Sequence, residues 1–158
     1  MTTERESEQI RLLSDTELYE QAVAFMHSIG KKLPPTQING LLNVSLANTY
    51  EQLQEFVQRQ YQRTSWPREA QHVKDFYFRL VQKLKSIEAY VPSVTRYRQE
   101  KLTREDEQAI KMLLAREFIQ HLLAENAYME FQRTFDNRNQ ERPQGANRGP
   151  STRQERRQ

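Results

Sequence analysis

The chain has 158 residues, with 24 Lys and Arg against 21 Asp and Glu, four glycines, six prolines and no cysteine. That length suits one domain built on roughly three to five helices. The missing thiols exclude disulfides, zinc–thiolate sites and cysteine nucleophiles, which fits a reducing cytoplasm. The net charge of +3 hides an asymmetry: residues 137–158 hold six arginines against two glutamates, +4, which leaves the rest of the chain at −1.

Residues 1–13 are polar and acidic with no apolar stretch, so they are expected as a flexible lead rather than a secretory signal. A helical domain is expected over 14–136. Ser14, with Glu17 three positions on, reads as a capping box for a first helix, and Gly30 reads as its stop. Leu18, Val23 (or Ala22), Phe25 and Ile29 give this helix one apolar side. Lys31 and Lys32 follow at its C-terminal end, where cations suit the helix dipole.

Leu33, Pro34 and Pro35 form a stiff link, after which Thr36 is expected to cap a second helix running to about Arg63. Its apolar positions, from Ile38 and Leu41 through Leu46 and Tyr50 to Phe56 and Tyr61, keep helical spacing throughout. Gly40 should cost ~1 kcal/mol against alanine unless a neighbouring backbone approaches it. The connector carries Trp66, the one tryptophan, between Arg63 and Arg68, where it either stacks on a base or plugs the end of a bundle.

Ser65 and Pro67 then open a third helix, expected to reach Val91 and to stop at Pro92. Val73, Phe76, Tyr77, Leu80, Leu84, Ile87 and Val91 share its buried side. His72, Arg79, Lys83 and Tyr90 lie roughly 60° to 100° away from that centre, with Lys74, Phe78 and Lys85 nearly opposite. Phe78 has no core to enter from there, so a partner or a stacking group is expected over it.

The segment after Pro92 brings Arg96, Arg98, Lys101 and Arg104, four cations within nine residues and only Glu100 between them. Thr103, with Glu105 and Asp106 behind it, caps a last helix expected to continue to about Phe135. Within it, 15 of the 23 residues from Ala109 to Phe131 are apolar or aromatic, too many for one stripe. This helix must be covered from several directions and so forms the centre of the bundle. Its longest apolar run, Met112–Ala115, is far short of the ~20 residues that span a bilayer. The tail from 137 to 158, rich in Arg, Pro and Gly, is expected to be disordered, and either holds RNA loosely or keeps the chain in solution.

Catalytic machinery is not evident. His27, His72 and His121 fall on different helices, no second histidine stands at i+4 to share a metal, and no glycine pair makes a phosphate loop. His121, on the apolar side of the last helix, reads as a hydrogen-bonded core histidine. No cofactor and no metal are expected. A helix-turn-helix is a poor fit because the helices are too long. The remaining pattern is of cations on rigid helices interleaved with Phe78, Trp66, Tyr90 and Tyr97, which supplies phosphate contacts and stacking faces without a base-reading element.

Three segments in order resemble the small helical subunit of type III CRISPR effector complexes, the Csm-type small subunit family. Leu33-Pro34-Pro35-Thr36-Gln37-Ile38-Asn39 is similar to that family's Leu-Thr-Thr-Ser-Gln-Ile-Arg helix start. Leu84-Lys85 with Tyr90 resembles its Leu-Lys…Tyr-x-Ala-Gly-Arg segment. The run Leu122–Phe131, with Ala127-Tyr128, resembles its closing Ala-Tyr-His-aromatic motif. Asn39, Met129 and Val91-Pro92-Ser93 depart from the pattern, and the last departure leaves Arg96 or Arg98 to replace a basic residue.

The resemblance implies an all-α, four- to five-helix bundle without catalysis, present in several copies. It would contact guide RNA and target RNA, the backbone subunits and the large polymerase-like subunit, with no membrane involved. Arg79, Lys83, Arg96, Arg98, Lys101 and Arg104, then Lys31, Lys32, Lys74 and Lys85, are the expected phosphate contacts. Phe78 and Trp66 are the expected partner contacts. The other expectation is a helical protein–protein adaptor that binds no nucleic acid.

Overall fold

The computed structural model describes residues 2–63 and 66–141, and among these the protein is an all-α bundle with no strand. In chain order the elements are α1 (Glu4–Leu13), a π turn (Ser14–Leu18), α2 (Tyr19–Ile29), α3 (Pro35–Ala47), α4 (Tyr50–Gln62), α5 (Gln71–Ile87), α6 (Val91–Val94) and α7 (Arg104–Gln140). Short 3-10 turns, Arg68–Ala70 and Glu88–Tyr90, flank α5.

The last helix is the centre, as its composition requires. Ile110, Leu114, Ala115, Phe118, Ile119 and Leu122 are fully buried, and α2, α3, α4 and α5 all pack against α7. Edge-to-face contacts of Phe25 with Phe76 and Phe118 join α2, α5 and α7 at ring separations of 5.4 and 5.9 Å. The seven residues read as the buried side of the third helix are all buried.

Several expected boundaries move. The first helix does not begin at Ser14 but at Glu4, so the lead over 1–13 is not a loose segment: Thr3 forms the capping box with Glu6, and Glu6 and Ile10 are buried. Ser14 is internal because its hydroxyl finds partners across the core, donating to Glu117 at 2.7 Å and meeting His121 Nε2 at 2.9 Å. The π turn also has a geometric role. Ile10, Ser14, Leu18 and Ala22 are all buried at steps of four, which drift by ~40° per step on a regular α-helix; one wider turn returns them to the core side.

Thr36 is not a cap. The carbonyl of Pro34 accepts from Gln37 and Ile38, with Pro35 as the first residue of α3, a place that needs no N–H. The expected second helix is two helices. Asn48 and Thr49 are extended, and Thr49 with Gln52 makes a reciprocal capping box that starts α4. Pro92 does not stop the chain but sits in the first turn of α6, between buried Val91 and Val94. Gly30 closes α2 in the left-handed region, φ 75°, and Thr103 caps α7 through Asp106.

The expected Ser65 cap and the tail from 142 onward lie outside the described residues. Residues 137–140, expected in that tail, belong to α7. Among the described residues no helix is long and apolar enough to cross a membrane.

Candidate nucleic-acid interface

α2 and α5 lie side by side and antiparallel, with Ser28 against Arg79 at one end and Gln21 against Tyr90 at the other. Both rest on α7. At the end where α2 closes, Lys31, Lys32, His72 and Arg133 line one groove of about 780 Å³, together with Gly30, Pro34 and Met129. The link that carries the two lysines is held from beneath: the Leu33 N–H donates to Oδ1 of fully buried Asn126, at 2.7 Å. From His72, the i+7 and i+11 positions Arg79 and Lys83 continue the same side of α5, a strip roughly 16 Å long.

Carboxylates occupy part of this strip. Lys32 Nζ is 2.8 Å from Glu130, and Arg79 donates to Ser28 at 2.7 Å and pairs with Asp75 at 3.2 Å. The Lys83 ammonium stands over the Phe118 ring, 5.8 Å from its centroid, and burial draws its pKa below that of an ordinary lysine. Lys31 and Arg133 are exposed, with no ion pair among the described residues. The flank therefore presents two cations paired with carboxylates, Lys32 and Arg79, beside Lys31 and Arg133, which are not so paired among the described residues.

The other expected contacts do not gather here. Arg98 turns inward instead: its side chain is mostly buried, and the guanidinium donates to both oxygens of Glu6, at 2.7 and 3.1 Å, and to Asp106 at 2.8 Å. The hydrogen bonds to Glu6 raise the Arg98 pKa further, and Arg98 in turn holds the Glu6 carboxyl below its ordinary 4.5. A charge so committed ties α1 to the start of α7. Its neighbour Arg96 stacks on exposed Tyr97, with Arg5 on the same ring, at 5.4 and 5.1 Å. Lys101 is exposed nearby.

Arg104 reaches Glu51 of α4 at 3.2 Å. Lys85 lines a shallow groove with Arg59 and Glu55 between α4 and α5, and half-buried Lys74 lies across α5 from the strip. The ten expected cations thus fall on at least three faces, and only Arg79, Lys83, Lys31 and Lys32 share one.

Phe78 is 40% exposed and tilts against Tyr61 of α4, 5.2 Å away. Trp66 is half-buried, its indole N–H donating to the Gln60 carbonyl at 3.0 Å with Arg63 over its ring, so it plugs the α4–α5 corner. Arg133 is the member of the groove that the sequence reading missed. Its helix was legible, but its approach to Lys31 depends on how α2 ends against α7.

The Ser14, His121 and Glu117 cluster has the residue types of a hydrolase triad in the wrong arrangement. With the Ser14 proton given to Glu117, the hydroxyl accepts from His121, and a histidine that donates to a hydroxyl is not its base. Ser14 is also buried, at 2% exposure. No group of three metal-ligating side chains occurs among the described residues.

Compared with known proteins, the chain matches no family model, no curated protein and no solved structure.

Proposed function

We propose that this protein is a non-catalytic small subunit of a type III CRISPR RNA-guided effector complex. In this role it binds the guide and target RNA backbone without sequence preference and bridges neighbouring subunits, including further copies of itself. The large polymerase-like subunit and the guide-holding backbone subunits are its protein partners, in the cytoplasm. The motif resemblance over Leu33–Phe131 supports the assignment to that complex. The observation that carries RNA binding is the flank where Lys31, Lys32, His72 and Arg133 share one groove and Arg79 and Lys83 extend it. A rigid charged strip of this kind contacts phosphates and reads no bases.

The test is RNA binding by fluorescence anisotropy at several salt concentrations, comparing the native chain with Lys31→Glu/Arg133→Glu. The double variant should bind more weakly, and its log–log salt slope should fall by roughly 0.7 to 0.9 per lost contact. An unchanged slope removes the groove as the site. Purification from the native host, asking whether a short RNA and larger subunits accompany the protein, tests the assignment to the complex.

A second reading, a helical adaptor without RNA affinity, draws support from the pairing of Lys32, Arg79, Arg98 and Arg104 with carboxylates. It requires no RNA binding by the native chain even at low salt, together with loss of a protein partner in Phe78→Asp.

A further inference from the structure

The C-terminal third of α7 leaves the bundle. Every residue from Phe131 to Glu141 is exposed, yet the helix carries a line of aromatic side chains on its outer side. Tyr128, Phe131 and Phe135 are 53%, 66% and 55% exposed, and the two phenylalanines stack at 6.4 Å. Their spacing of three and four residues is that of a helix–helix seam, continued backward by exposed Ala124 and forward by Arg138. Buried Asn126 and half-buried Met129 face the bundle from the other side.

Of the positions that flank the seam, Ala127, Gln132, Thr134 and Asn139 are uncharged, while Glu125 and Glu141 are acidic. In an antiparallel pair Glu141 comes opposite Ala127 and Glu125 opposite Asn139, so no like charges meet across it.

We propose that this projecting part of α7 pairs with the same segment of a second copy, antiparallel, about a two-fold axis near Arg133. In that register Phe131 meets Phe135 of the partner and Phe135 meets its Phe131. Arg138 lies over Tyr128 of the partner, so a cation–π contact closes the seam at both ends. In this register ring meets ring and Arg138 meets Tyr128 on both sides of the axis, the self-matching that an isologous contact requires. Six rings cover roughly 700 Å² in total, under the ~1,200 Å² of a durable interface. The pair is therefore dissociable and forms at high concentration. It closes on itself, so it is distinct from the repeating contacts of an effector filament and does not rest on that assignment. Arg133 stays on the outside, which leaves the basic groove of each copy open.

The test uses the full chain in sedimentation velocity from about 10 to 500 μM, beside Phe131→Glu/Phe135→Glu and the single variant Thr134→Cys. The native chain is expected to pass from monomer to dimer across this range. The double variant should remain monomeric with unchanged far-UV circular dichroism. Because the protein has no other cysteine, Thr134→Cys should form a covalent dimer on oxidation. Mixed Ala127→Cys and Glu141→Cys chains should cross-link to each other and not to themselves, as an antiparallel pair demands.

A native chain that stays monomeric throughout overturns the proposal, as does a double variant that dimerises equally. Same-position cross-links of Ala127→Cys would overturn the antiparallel arrangement. If the native chain is monomeric and the double variant loses affinity for single-stranded RNA, the rings stack on bases and the proposal is wrong.

Discussion

Two of the four closely spaced cations between Arg96 and Arg104 face carboxylates from distant parts of the chain: Arg98 faces Glu6, and Arg104 faces Glu51. The consequence of the first pair is an acid-sensitive contact. Glu6 is held below its ordinary value by the Arg98 hydrogen bonds, so the stability it contributes is present above about pH 4.5. It is lost as pH falls through the lower folded value. Urea unfolding between pH 3 and 7 should therefore show an acid limb that flattens in Glu6→Gln, with a lower midpoint at pH 7. An acid limb of the same steepness in the variant would mean that other carboxylates govern it.

At Gly40 the expectation of a close backbone is replaced by a side chain. An added Cβ would meet the Phe56 ring at 3.7 Å, an ordinary contact. Gly40→Ala should stabilise the protein by about 0.5 to 1 kcal/mol in a denaturant melt, because the helix interior gains a residue of higher propensity and lower unfolded-state entropy.

At the scale of the element, α3 and α4 concealed their division. The apolar spacing runs through Leu46 to Tyr50 and Leu53 without a gap in the sequence, although the chain turns at Asn48 and Thr49. The Thr49–Gln52 box was the available sign. Thr49→Ala should cost about 1 kcal/mol of stability, read as a lower urea midpoint with an unchanged slope. The π turn has no such sign: only the partners of Ser14 on α7 explain why a serine sits inside a continuous helix. Helix α7 tolerates little loss at its centre, since Phe118 is fully buried against Phe25. Phe118→Ala should destabilise by roughly 3 to 5 kcal/mol, measured by thermal unfolding.

For the whole molecule, charge is distributed by the packing of helices rather than by nearness in sequence. Lys31 and Arg133 are about a hundred positions apart and line one groove, while Arg96 and Arg98 are two apart and do unrelated work. The same packing leaves α7 longer than the bundle that covers it, and this exposes Phe131 and Phe135. Under the RNA-binding proposal, variant effects should follow the groove. Charge reversal of Lys31 should weaken RNA retention more than charge reversal of Arg104, whose guanidinium already faces Glu51, and anisotropy titrations at one salt concentration compare the two directly.

The all-α class, the central last helix, the buried side of α5, the Gly30 stop and the Thr103 cap were determined by the sequence alone, because each rests on local periodicity or on one residue's backbone preference. The start of the first helix had a local sign, the Thr3–Glu6 capping box. Which cations are exposed, which are spent on internal carboxylates, and which partners Ser14 meets inside its helix were decided only by the tertiary structure. Those outcomes depend on partners such as Glu6 for Arg98 and Glu117 for Ser14, roughly a hundred positions away, and a side chain's pairing energy carries no local pattern.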